Sequence, residues 1–267
     1  MLSEEQIKQL AQRHHDAEKN RKQISAITLE HPDMDIADAY KIQSAWMDIK
    51  KAEGRTVAGY KIGLTSRAMQ KAMNITEPDY GTLLDDMVFE EGTEINSSAF
   101  LDPKIEVELA FILNKPLFGE NISVIDVLNA TDYVVPALEL IAARSHRVDP
   151  STGYKRTVRD TISDNAANGG IILGGLPVRP DSVDLRWIGA MMTRNGVIEE
   201  SGVSGAVLNH PAKGIAWLAK KYAQHGIALE PGQIILAGSF TRPVEVRAGD
   251  TFHVDYGELG SISCYFK

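Results

Sequence analysis

Lys104-Ile105-Glu106-Val107-Glu108-Leu109-Ala110-Phe111 alternates apolar side chains with charged or small ones. At the two-residue period of a strand, Ile105, Val107, Leu109 and Phe111 fall on one face, and Glu106 and Glu108 share the other. Residues two apart in a strand are about 6.5–7 Å apart, so both carboxylates can lean toward one cation. A third acid, Glu139, lies in the apolar run Val134-Val135-Pro136-Ala137-Leu138-Glu139-Leu140-Ile141, where an unpartnered carboxylate is costly. Three convergent carboxylates repel one another and resist ionisation unless positive charge joins them, and a divalent ion supplies it. With no Cys and no His-x-x-x-His spacing nearby, the all-oxygen set suits Mg²⁺, with Mn²⁺ possible, better than zinc. Three protein ligands leave about three octahedral positions for water or a chelating substrate. The same residues also fit a half-exposed strand with Glu139 paired to Arg144.

The whole chain bounds what such a site could serve. Its 267 residues, 43% hydrophobic and 24% charged, can bury a full core. A net charge of −8 and a pI near 5.4 argue against a nucleic-acid partner, which requires a basic surface. Cys264 is the lone cysteine, so no internal disulfide forms and a cytoplasmic setting is expected. Neither a basic-then-apolar leader nor an apolar run of the ~20 residues needed to span a bilayer is present, so no membrane association is expected.

Ser3 and Gln6 read as a capping box opening a surface helix to about Asn20, with His14 and His15 diverging and solvated. Asp35 caps a second helix whose Ala39, Ile42, Trp46 and Ile49 form a buried face, ending at Gly54. A strand follows over 56–64. In it Lys61 has Gly59 and Gly63 on its own face, which would leave open space for a ligand; such a lysine can act as a base or simply pair with an acid. Pro78-Asp79-Tyr80-Gly81 reads as a turn. Ser163-Asp164-Asn165 leads into a short buried strand, as loop caps or as ligand contacts. Arg194-Asn195-Gly196 reads as a hairpin turn, Pro211 opens a helix to about His225, and Gly238-Ser239 ends a buried strand where backbone N–H groups could face an oxyanion.

Together, Gly59-Tyr60-Lys61-Ile62-Gly63, Pro78-Asp79-Tyr80-Gly81, Glu106-Val107-Glu108, Glu139, Ser163-Asp164-Asn165 and Leu236-Ala237-Gly238-Ser239 resemble, in order and spacing, the hydratase and decarboxylase branch of the fumarylacetoacetate hydrolase superfamily. The resemblance covers nearly the whole chain. It implies an α+β architecture, with an N-terminal helical section (1–80) followed by a mixed β-roll with packed helices (81–267), and homo-oligomeric assembly. It also implies a Mg²⁺ or Mn²⁺ site at Glu106, Glu108 and Glu139. The His-Glu pair of the superfamily's hydrolase members has no match here, which favours the hydratases.

The implied activity is metal-dependent addition of water to 2-oxohept-4-ene-1,7-dioate, a 2-oxo or 2-hydroxy-dienoic dicarboxylate. Hydration of 2-hydroxypenta-2,4-dienoate and decarboxylation of a 2-oxo-3-enedioate are alternatives on the same scaffold, and a non-catalytic partner of such enzymes is a third. Lys61 is the candidate proton-transfer group, with Asp79 as its partner or as the group orienting water. Ser163, Asp164 and Ser239 are candidates for holding substrate or metal-bound water. Arg67 and His31 are candidates for the distal carboxylate, which a cation would recognise.

Overall fold

The computed structural model describes residues 1–267, the side chain of Ala72 apart. Ser3 and Gln6 form the expected capping box, and the first helix runs Glu4–Asn20. Asp35 accepts the N–H of Asp38 and starts a second long helix, Ile36–Ala52. These two helices pack together and place Leu10, Ile42 and Trp46 against Leu83, Leu84, Ile171 and Leu236 of a sheet.

Among the described residues that sheet has eight strands. From edge to edge they are Asp79–Leu84, Val57–Gly63, Ile234–Leu236, Lys104–Leu113, Thr131–Ile141, Asn168–Leu173 and Val88–Glu90, with Val244–Glu245 paired onto Lys104–Leu113. Pairing is mixed: Val57–Gly63 is parallel to Ile234–Leu236 but antiparallel to Asp79–Leu84. A second sheet, in the order Glu94–Ile95, Ser261–Phe266, Thr251–Asp255, Gly189–Arg194 and Val197–Val203, packs on the other face. Its hairpin turns at Asn195 and Gly196, both with positive φ, as the Asn-Gly pair requires. Between the sheets lie Val107, Leu109 and Phe111, joined by the apolar stripe of helix Ala212–Ala223. The architecture is therefore the α+β arrangement of N-terminal helices on a rolled, mixed β structure.

Four expectations change. Pro78-Asp79-Tyr80-Gly81 is no turn: Asp79 begins a strand in which Gly63 pairs with Asp79 and Lys61 with Gly81. Gly81 is glycine because a Cβ there would lie 2.4 Å from the Asn165 carbonyl oxygen. The division at 80/81 falls inside this strand, and Val57–Gly63 already belongs to the sheet. His14 and His15 are buried rather than solvated, His14 stacking on Trp46 at 5.5 Å where the two long helices meet. Finally, the glycines beside Lys61 leave no void. Gly59 lies against the Ile234 backbone, and a Cβ on Gly63 would stand 2.3 Å from Asp79 Oδ1 and 3.1 Å from Lys61 Nζ.

Candidate active site

The pleat directs Glu106 and Glu108 from one face of the Lys104–Leu113 strand, and the antiparallel register sets Glu106 directly opposite Glu139. Carboxylate oxygens of the three, one from each, lie within 4.8 Å of one another. Two strands of one sheet thus bring together acids that are 31 to 33 positions apart in the chain. Glu108 and Glu139 are buried, whereas Glu106 keeps some exposure and marks the open side.

Lys61 and Asp79 complete the group from the two strands at the sheet edge. Lys61 Nζ lies 3.2 Å from Glu139 Oε1, and that oxygen has no hydrogen bond among the described residues. Arg144 is not its partner, because the guanidinium turns instead to Asp164 at 2.6 Å. Asp79 is 2% exposed, and its Oδ1 also lacks a hydrogen bond among the described residues. Four carboxylates thus surround one ammonium.

The electrostatics record that imbalance. Burial, then Glu139, pushes the Glu106 carboxyl up to about 8, and the same causes lift Glu108 well above its ordinary value. Burial also raises Asp79, partly offset by Lys61. For Lys61, burial acts to remove the proton, but Glu139, Asp79 and Glu108 outweigh it and hold the ammonium above its usual range. One stabilising contact is local: the N–H of Gly238 donates to Glu108 Oε2 at 2.9 Å. The amide expected to face an oxyanion therefore orients a cluster carboxylate. A hard divalent cation fits this donor set on three grounds: the convergent oxygens, a Glu139 Oε1 that has the Lys61 ion pair but no hydrogen bond among the described residues, and the uncompensated negative charge.

The other candidates have distinct places. Ser163 Oγ donates to the Asp160 carbonyl at 3.0 Å and lies 3.3 Å from His14 Nε2. Asp164 accepts from the Arg144 backbone and side chain and pairs with Arg156 at 3.4 Å. Both are fully buried, with their polar atoms turned to the protein. Ser239 Oγ lies within hydrogen-bond reach of the Thr241 and Val107 carbonyls and accepts the Thr241 N–H, which fixes the turn carrying Gly238. His31 sits at the end of the short helix Ile27–Glu30, and Arg67 opens the helix Arg67–Ala72. Neither lines the cavity of about 180 Å³ beside Asp79, whose walls include Tyr40, Asn74, Thr76 and Ile162.

Three residues have contacts that only the folded chain reveals. Tyr40 comes from the second long helix, whose periodicity marked only its apolar face. Asn165, Ala166 and Ala167 all take positive φ, a left-handed turn invisible to a residue count. It presses Asn165 against the Asp79–Leu84 strand, where the side chain bonds both the N–H and the carbonyl of Thr82. Arg156, on the loop before that turn, is a buried partner of Asp164.

Residues 55–266 match the model of the fumarylacetoacetate (FAA) hydrolase C-terminal family. The chain is 63% identical over 257 residues to 2-oxo-hept-4-ene-1,7-dioate hydratase of Escherichia coli, covering 96% of each. It is 35% identical to 2-keto-4-pentenoate hydratase of Paraburkholderia xenovorans, covering 100% of this chain and 97% of that one. Among solved structures, 4-oxalocrotonate decarboxylase from Pseudomonas putida G7, complexed with magnesium and adipate, superposes with a TM-score of 0.94. That pair is 36% identical and covers 100% and 99% of the two chains. The same decarboxylase is also known with calcium and acetate, at a TM-score of 0.93 and 35% identity. With the sheet, the carboxylate cluster and nearly the full length in agreement, the chain belongs to the fumarylacetoacetate hydrolase family.

Proposed function

We propose that this enzyme is a metal-dependent carbon–oxygen hydro-lyase that adds water to 2-oxohept-4-ene-1,7-dioate and forms 4-hydroxy-2-oxoheptane-1,7-dioate. The observation that carries the reading is the excess of buried carboxylate at Glu106, Glu108 and Glu139 beside one lysine, in a chain 63% identical to a hydratase of that name. Glu106, Glu108 and Glu139 would hold Mg²⁺, with Mn²⁺ as an alternative. When bound, the ion supplies a Lewis acid that the carboxylate and keto oxygens of a 2-oxo acid can chelate, lowering the cost of negative charge on the substrate.

The chain's own groups move the protons. Asp79, made more basic by burial, takes a proton from C3, and Lys61, held as an ammonium by Glu139 and Asp79, returns one at C5. The double bond then lies between C3 and C4, conjugated with the ketone. Water adds at C4, and C3 regains a proton from the same pair. Ser163, Asp164 and Ser239 act by support: the first two tie the Val158–Ser163 helix to Arg144 and His14, and the third fixes the turn that aims Gly238 at Glu108. His31 and Arg67 would meet the distal carboxylate only at the outer end of an extended diacid. Cytoplasmic location and assembly from several copies complete the proposal. The exposed Val197 and Ile198 of the outer hairpin give that assembly a surface.

A second reading, decarboxylation, draws on the decarboxylase fold match. Two incubations decide between them. With Mg²⁺ and 2-oxohept-4-ene-1,7-dioate the enzyme should yield the 4-hydroxy acid without CO₂. Release of CO₂ from a 2-oxo-3-enedioate, with no hydrated product from the other substrate, overturns the hydratase reading.

A further inference from the structure

Asp79 forms part of the wall of the cavity of about 180 Å³, and Tyr40 stands in that wall with it. The cavity is many times larger than the roughly 10–15 Å³ of probe volume that one water needs. Polar partners are also present, since Asn74 and Thr76 line it with Tyr40 and Asp79. A water held there requires an acceptor for its proton and a donor for one lone pair. The Asp79 carboxyl group, 2% exposed and part of that wall, is the acceptor.

We propose that Tyr40 donates its phenolic hydrogen to the water that attacks C4, so that Tyr40 and Asp79 together fix that water and leave its second lone pair facing the substrate. This deepens the hydratase reading and rests on it. Three features support the assignment. The Tyr40 ring stacks on Tyr80 with centroids 4.2 Å apart and planes 14° from parallel, and Tyr80 follows Asp79 in the chain. Tyr80 is itself braced edge-on by Tyr222 at 5.0 Å, so the phenol has little freedom to turn away. Burial, then the charge of Asp79, raises the Tyr40 pKa, which keeps the hydroxyl a donor throughout the working pH range.

The step balances without any further reactant. The water oxygen bonds to C4 as the C3–C4 π pair moves toward the ketone. The water's proton passes to Asp79, Lys61 delivers a proton to C3, and Asp79 restores Lys61. Tyr40 keeps its own proton and acts as a positioning residue.

The test uses the full-length Mg²⁺-loaded enzyme and Tyr40→Phe, which preserves the stacked ring. Two rates are read: hydration of 2-oxohept-4-ene-1,7-dioate, and exchange of the C3 hydrogens of the saturated 2-oxoheptane-1,7-dioate in D₂O. Loss of the group that orients the attacking water should lower kcat for hydration about tenfold to a hundredfold, with KM and C3 exchange within about threefold of wild type. Melting temperature should be unchanged, which separates the effect from damage to the fold. Hydration at the wild-type rate overturns the inference, as does an equal fall in both rates. If wild-type enzyme itself yields no hydrated product, the hydratase reading fails and this inference with it.

Discussion

Two buried charge clusters lie in this fold, and they are balanced in opposite ways. Around Asp164, one carboxylate meets the guanidiniums of Arg144 and Arg156. Arg144 also donates to the carbonyls of Asn168 and Asp164 at 2.9 and 2.7 Å and lies 4.9 Å from the Trp46 ring centre. Around Glu139, four carboxylates meet one lysine, and two of their oxygens lack a hydrogen bond among the described residues. Asp164 and Arg144 are as deeply buried as Glu108 and Glu139, so depth alone does not mark a reactive site. The first cluster is satisfied within the chain and locks the N-terminal helices to the sheet. The second keeps an excess of negative charge among the described residues, and that deficit supports the proposal of a cation and of proton transfer there.

The contrast can be broken at either end, and Glu108→Gln should have the largest effect. It should lower turnover on the order of ten-thousandfold, because several kcal/mol of charge stabilisation go with the ion. Titration calorimetry with Mg²⁺ should show binding lost, while the metal-free protein melts no lower than wild type. Turnover near the wild-type level would sink the metal assignment. At the balanced cluster, Asp164→Ala should destabilise the fold by roughly 3–5 kcal/mol, since it leaves two buried guanidiniums without their carboxylate. Urea unfolding measures this, and a loss under about 1 kcal/mol would mean the cluster does not hold the helices. Lys61→Met should cost about a hundredfold in C3 exchange with Mg²⁺ affinity retained, separating proton transfer from metal holding.

Two smaller effects are read through pH. Burial depresses His14 from 6.5 to about 4 beside the balanced cluster. Its folded value lies below its unfolded one, so the unfolded chain binds the extra proton and stability falls as pH drops through that window. Between pH 7 and pH 5 the loss should be about 2 kcal/mol, and it should be absent in His14→Phe, which keeps the stack on Trp46. At the unbalanced cluster the sign reverses. Glu106 is raised from 4.5 to about 8, so the metal-free fold loses stability as pH rises through that range. Mg²⁺ should therefore raise the melting temperature more at pH 8 than at pH 6. An equal rise at both would show that the cation does not relieve this repulsion.

Much of the site was legible before any fold was known, because its signals are local. The alternation around Glu106 and Glu108 put two acids on one strand face, and an acid at 139 inside an apolar run stood out by its cost. The capped helices and the Asn195-Gly196 hairpin were legible for the same reason, since caps and tight turns depend on near neighbours. The Pro78–Gly81 stretch misled because its residue types suit a turn, while strand pairing and the close approach of Asn165 set the real demand on Gly81. The histidines of the first helix misled in the same way. Their burial comes from the second helix and, for His14, also from Ser163, 149 positions away.

What this sequence determined by itself was the periodicity of its elements and a surplus of acids in apolar surroundings. These follow from bond geometry and from the cost of burying charge, and both act within a few residues. Tertiary structure alone decided the partners: Lys61 for Glu139 and Arg144 for Asp164, with Tyr40 for the Asp79 cavity. The reason is physical, because an ion pair or a shared cavity depends on distance in space, and strand register and helix packing set that distance only once the whole chain has closed.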